Sequence, residues 1–152
     1  MDAFDKWDIR FLRLAQTVSS WSKDPSTLVG AVIARPDRTV ASVGYNGFPR
    51  GMTDLPEYYE KREEKYSRII HAEVNALLHA RERVVGYTLY TYPLMPCDRC
   101  MVQMIQAGFK RIVSVELSPE HYERWGATLN KSMGYASDAG IELLMIPKVF
   151  ID

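Results

Sequence analysis

Two short stretches carry residue types that could do chemistry: "HAE" at His71–Glu73 and "PCDRC" at Pro96–Cys100. Cys97 and Cys100 are three apart, so at a helix start both sulfurs face one side. Pro96 suits the entry to such a helix, where a missing N–H costs little. A helix N-terminus also favours thiolate over thiol, and thiolate is the form that binds metal. His71 and Glu73 pose a different problem. Two residues of ideal helix rotate about 200°, so the pair cannot share a face in a helix interior. They can work together only where the chain is entering the helix and ideal steps do not yet apply.

Alone, each motif has an ordinary reading. A C-x-x-C in an α/β chain also suits a thiol redox pair, and an H-x-E at a helix start is commonly without function. The chain has only two cysteines, which excludes a four-cysteine structural zinc site within one chain. Two thiolates and His71 make three ligands, whereas zinc takes four in tetrahedral geometry. Three protein ligands with a fourth place open to water is the catalytic arrangement. Two thiolates cancel the charge of Zn²⁺ and weaken its hold on a water proton, so a nearby carboxylate, Glu73, gains importance as a proton acceptor. His79, about two turns beyond His71, and His121 are expected at the surface or in packing.

The order H-x-E…P-C-x-x-C resembles the signature of zinc-dependent nucleobase deaminases, in which the glutamate is acid and base and not a ligand. Four motifs in sequence, "SKDPSTLVGAVI", "GYNGFPRG", "HAEVNALL" and "PCDRCMVQMIQAGFKRIV", are similar to those of deoxycytidylate deaminases, especially phage and bacterial ones. The resemblance runs from about Ser22 to Val115. It implies hydrolytic deamination of dCMP to dUMP and ammonia, supplying dUMP for thymidylate synthesis. By the same resemblance His71, Cys97 and Cys100 hold one zinc per subunit, and Glu73 carries a proton from the attacking water to N3 of cytosine and then helps the amine at C4 depart.

Asn46 matches the family asparagine at the deoxyribose, although Gly-Tyr-Asn-Gly also serves as a plain hairpin exit. Lys23, Ser26, Thr27 and Ala72 are candidate substrate contacts, "SKDPST" offering phosphate donors or merely a capped turn. Asn46, Gly47, Arg50 and Asp54 are candidate effector contacts, because relatives bind activating dCTP and inhibiting dTTP near this loop, usually with Mg²⁺ on the phosphates. Relatives assemble as homo-oligomers, often hexamers. The approach "YTYPLMPC" is one residue longer than usual, which predicts a bulge near Pro93.

The rest of the chain must position these residues. Its 152 residues allow one domain with a real core, read here as a single zinc-dependent deaminase domain over 1–152. With 19 basic and 19 acidic residues there is no global charge to grip a polyanion. That argues against the nearest rival, a tRNA adenosine deaminase, and no nucleic-acid partner is expected. A rival of another class is a zinc-stabilised binding module whose fourth ligand is a protein group. The N-terminal stretch lacks an apolar h-region, and no apolar run approaches a membrane span, so a cytoplasmic protein is expected, in host cytoplasm if phage-encoded.

A first helix is predicted from the stripe Phe4, Trp7, Phe11, Leu14, Val18 and Trp21. Two β-branched runs, near Val29–Ala34 and Thr39–Val43, flank the turn Arg35–Arg38 as a hairpin. "PEYYEKREEKYSRII" reads as a charged helix, and in "HAEVNALLHA" Val74, Leu77 and Leu78 give an apolar side. Then follow strand Thr88–Thr91, helix Asp98–Ala107, strand Arg111–Val115, helix Pro119–Met133 and strand Ile141–Ile146. Gly108 and Gly134 fall at expected helix C-caps. Alternation favours parallel pairing in the second half beside an antiparallel hairpin. The expected architecture is a three-layer α/β/α, cytidine-deaminase-like fold around a mixed five-stranded sheet.

Overall fold

A computed structural model describes residues 3–152. Five strands form one sheet in the order β2-β1-β3-β4-β5: β1 Gly30–Ala34, β2 Val40–Tyr45, β3 Thr88–Tyr92, β4 Arg111–Val115 and β5 Glu142–Ile146. β1 pairs antiparallel with β2 and β3, while β3–β4 and β4–β5 are parallel. The mixed sheet and the expected split between hairpin and parallel half are both present. Alternation along the strands separates two cores. Val32, Tyr90, Tyr92, Val113, Val115 and Ile146 face helix α1, Lys6–Ser19, and the C-terminal Ile151. Ala31, Ile33, Leu89 and Ile112 face α4 Ala72–His79, α5 Asp98–Ala107 and α6 Pro119–Asp138. The site is built on this second face. Among the described residues no helix is long and apolar enough to cross a membrane.

Two glycines let helices sit directly on strands. A Cβ at Gly30 would lie 2.1 Å from the Ala15 carbonyl oxygen of α1, and one at Gly44 would lie 2.4 Å from the Ala76 nitrogen of α4. The same hairpin therefore seats one helix on each side of the sheet.

Several expectations need correction. Within α1 the buried face is Asp8, Phe11, Leu12, Ala15, Val18 and Ser19, so an acidic residue joins the apolar stripe while Trp21 lies beyond the helix and is exposed. Asp8 is tolerated there because Arg111 and Tyr90 meet it. The charged segment forms two short helices, α2 Pro56–Glu60 and α3 Arg62–Arg68, broken at Lys61, whose backbone is extended. In α4 the buried residues are Ala72, Glu73 and Ala76, and Leu78 is 66% exposed. Close approach to Gly44 selects the small residues for the inner face.

Helix α6 passes through Gly134 and ends five residues later than expected. Its stop is Gly140, at φ 76°, where Ile141 N–H bonds to the Ala136 carbonyl and Gly140 N–H to that of Ser137. That is a Schellman closure, which needs the left-handed residue at Gly140 and not at Gly134. Gly108, at φ 94°, closes α5 as expected. No bulge interrupts β3, whose pairing with β1 is regular through Tyr92. The chain bends only at Pro93 and Leu94, after a cis Tyr92–Pro93 bond.

Candidate metal centre and its cavity

His71 caps α4 in an extended conformation, and Glu73 stands in the first turn. The Asn75 N–H closes the first helical bond on the His71 carbonyl at 2.9 Å. His71 is thus outside the helix proper, which frees its ring from the rotation that would separate it from Glu73. A backbone bridge between Gly47 and Ile70 ties the "GYNG" loop to the residue before His71. Cys97 is the corresponding cap of α5, and Cys100 lies in that helix's first turn. Ser132 of α6 donates a 2.7 Å hydrogen bond to the Pro96 carbonyl and fixes the approach to Cys97.

These two helix starts bring His71, Cys97 and Cys100 together, with ligand atoms all within 4.8 Å of one another. His71 Nδ1 is 3.1 Å from Cys100 Sγ and 3.6 Å from Cys97 Sγ. Tetrahedral zinc with ordinary bond lengths sets N···S at roughly 3.6 Å. The spacing and the N/S/S donor set both fit zinc. Glu73 stands beside the group, its Oε1 3.8 Å from His71 Nδ1.

The electrostatics separate the roles. The Cys97 thiol is drawn down to about 4, first by the hydrogen bond from Cys100 and then, against the cost of burial, by His71. The Cys100 thiol is pushed up, first by that same bond to Cys97 and next by burial. Metal binding requires both sulfurs as thiolates, so it would release the proton that the Cys100 thiol holds. The His71 ring is pushed up, above all by its bond to Cys97. Glu73, only 3% exposed, has its carboxyl raised by burial, partly opposed by His71. A carboxyl held above its usual range is suited to taking and returning a proton near neutral pH.

The cluster opens into a cavity of about 620 Å³, large enough for a nucleotide-sized molecule. Ser26, Thr27, Asn46, Ala72 and Glu73 line it. Lys23 does not. It pairs with Asp54 at 2.5 Å and faces a second cavity, which Asn46, Gly47 and Asp54 also line. Arg50 is exposed and lines neither cavity. His79 is exposed, and His121 packs against Trp125 with ring centroids 5.5 Å apart.

Sequence reasoning missed several lining residues: Asp24 and Lys65, which form an ion pair at 2.8 Å, and Arg99, Gln103, Arg124 and Trp125 from α5 and α6. For the pair, no motif spacing points from residue 24 to residue 65. For Gln103 a signal was present: three positions beyond Cys100, it shares the α5 side that carries that sulfur.

Residues 5–116 match the family model of the cytidine and deoxycytidylate deaminase zinc-binding region. The chain is 40% identical over 142 residues to an uncharacterized deaminase of Aliivibrio fischeri encoded 3′ of luxG, covering 93% of this chain and 95% of that one. It is 36% identical over 118 residues to the mouse deoxycytidylate deaminase, covering 74% of this chain and 66% of the mouse protein. Among solved structures, the dCMP deaminase of cyanophage S-TIM5 in complex with dCMP and dUMP superposes with a TM-score of 0.72. That match has 20% identity and covers 95% of this chain and all of the other. It establishes likeness of fold.

Proposed function

The chain belongs to the cytidine and deoxycytidylate deaminase family, and from that premise we propose that it hydrolyses dCMP to dUMP and ammonia, feeding thymidylate synthesis. The observation that carries the reading is the three-ligand cluster of His71, Cys97 and Cys100 beside a buried carboxyl, open to a nucleotide-sized cavity. In this reading residues 1–152 act as one deaminase domain with one zinc. Zinc held by these residues supplies a Lewis acid that makes water nucleophilic at neutral pH. Glu73 takes one proton of the attacking water and delivers it to N3. It then carries the second, from the oxygen now bonded to C4, to the amine, which leaves as ammonia as the C4–O double bond forms. Asn46, in the cavity wall, receives the deoxyribose, and Ser26 and Thr27 present hydroxyls towards the phosphate end.

The second cavity, of about 330 Å³, supports a regulatory reading in which dCTP activates and dTTP inhibits, with Mg²⁺ on their phosphates. Asn46 and Gly47 serve there with Lys23 and Asp54. Assembly into a homo-oligomer, as a hexamer, completes the proposal. A tRNA substrate is disfavoured by the balance of 19 basic and 19 acidic residues. The test is ammonia release from dCMP, CMP, dCTP, deoxycytidine and a tRNA anticodon stem, with and without dCTP and dTTP. dCMP is expected to be the best substrate. Equal or greater turnover of the nucleoside or the RNA would overturn the assignment.

A further inference from the structure

Asp24 is 5% exposed, and all its side-chain partners lie around one wall of the active cavity. Its Oδ1 accepts from Lys65 Nζ at 2.8 Å and from the Ser26 N–H at 2.8 Å, and its Oδ2 accepts from Asn46 Nδ2 at 3.3 Å. Asn46 Nδ2 also donates to the Thr27 carbonyl at 2.9 Å, and its Oδ1 accepts from the Val29 N–H at 2.9 Å. Those backbone partners fix the amide's orientation, because Val29 N–H can only donate and the Thr27 carbonyl only accept. Both Asn46 donors are therefore used, while Oδ1 keeps one lone pair. Lys65 has three donors and gives one to Asp24. It reaches the wall from α3, at residue 65, so the pair joins two segments that no regular hydrogen-bond ladder connects.

We infer that the ion pair of buried Asp24 and half-buried Lys65 is the positioning element of the substrate's sugar–phosphate end. It clamps residues 24–29 and Asn46 against α3, leaving one Asn46 acceptor turned to the ligand. The pair rests on the nucleotide reading above and acts through Asn46, apart from the proton chemistry at Glu73. Its loss should weaken binding of substrate and product alike while sparing the chemical step, the pattern of uniform binding.

The test uses the zinc-loaded full chain as wild type, Lys65→Met, Lys65→Arg and the double variant Asp24→Asn/Lys65→Met. KM and kcat are measured for dCMP by ammonia release, and Kd for dUMP by calorimetry. Lys65→Met should raise KM and the dUMP Kd by about tenfold or more with kcat within about threefold, and Lys65→Arg should recover most of that loss. The double variant removes both charges, leaves no unpaired buried ion, and should match Lys65→Met; it decides the matter if Lys65→Met alone does not fold. Unchanged KM and Kd in the double variant, or a fall in kcat as large as the rise in KM, would overturn the inference. A wild type that neither deaminates dCMP nor binds dUMP would instead sink the functional reading on which it rests.

Discussion

Asp8 and Glu73 are each 3% exposed, on opposite faces of one sheet, and their surroundings push them to opposite ionisation. Burial alone raises both carboxyls. At Asp8 that rise is outweighed by hydrogen bonds from Arg111 at 2.6 and 2.8 Å and from the Tyr90 hydroxyl at 2.6 Å, so the group ends below its usual range. Glu73 is opposed by the His71 ring and then by a hydrogen bond with Cys100, has no Arg or Lys partner among the described residues, and ends above its usual range. Exposure is the same in the two places, although Glu73 lies deeper among its neighbours. The difference lies in how completely the partners are supplied. A fully paired carboxylate ties α1 to β3 and β4, whereas an incompletely paired one is left able to exchange a proton.

Each face of the sheet can be perturbed by itself. The largest effect is expected on the α4–α5 face. Cys100→Ala, or removal of metal by a chelator, should reduce deamination to background, checked by metal analysis beside ammonia release; a metal-free protein that still turns over would remove the contrast. On the other face, Arg111→Met strips Asp8 of its cation and should cost about 3–5 kcal/mol in denaturant unfolding, as for other broken buried pairs. The kcat of the folded fraction should stay unchanged. A drop in kcat without loss of stability would show that the two faces are not separate.

A smaller effect is expected where the site depends on packing alone. Gly44→Ala places a methyl against the α4 backbone and should cost about 1–3 kcal/mol. Because α4 carries His71 and Glu73 at its start, kcat should fall too. The smallest effect concerns pH. Asp8 has a folded-state pKa below its unfolded one, so the stability it contributes is fully present above about pH 4 and is lost as pH falls through the folded value. Glu73 acts with the opposite sign, its raised pKa removing stability as pH rises above the unfolded carboxyl value. Acid unfolding curves of Asp8→Asn should therefore lose part of the wild-type slope below pH 4.

Much of the frame was legible in the sequence because it rests on local rules. Helix α5 and strand β4 lie where the pattern put them, since period and a left-handed glycine at Gly108 mark their limits. Gly134 misled because a glycine signals a helix end only when the residues after it can complete the closure, which happens at Gly140. The metal group was legible because two helix starts bring its ligands together, and short spacings record helix starts well. The cavity walls were not. Lys23 and Asp24 are neighbours, yet one pairs with Asp54 in the second cavity and the other with Lys65 in the first. Asp8 was hidden for a related reason: its partners, Tyr90 and Arg111, come from strands more than 80 residues away.

In the proposed mechanism the incompletely paired carboxyl at residue 73 moves the protons while three other residues hold the metal. Glu73→Gln keeps the shape and removes the titratable group. Zinc content and ammonia release from dCMP, measured on the same preparation, should give one zinc per chain with turnover reduced by about 10²-fold or more. Turnover close to wild type in that zinc-loaded variant would contradict the account.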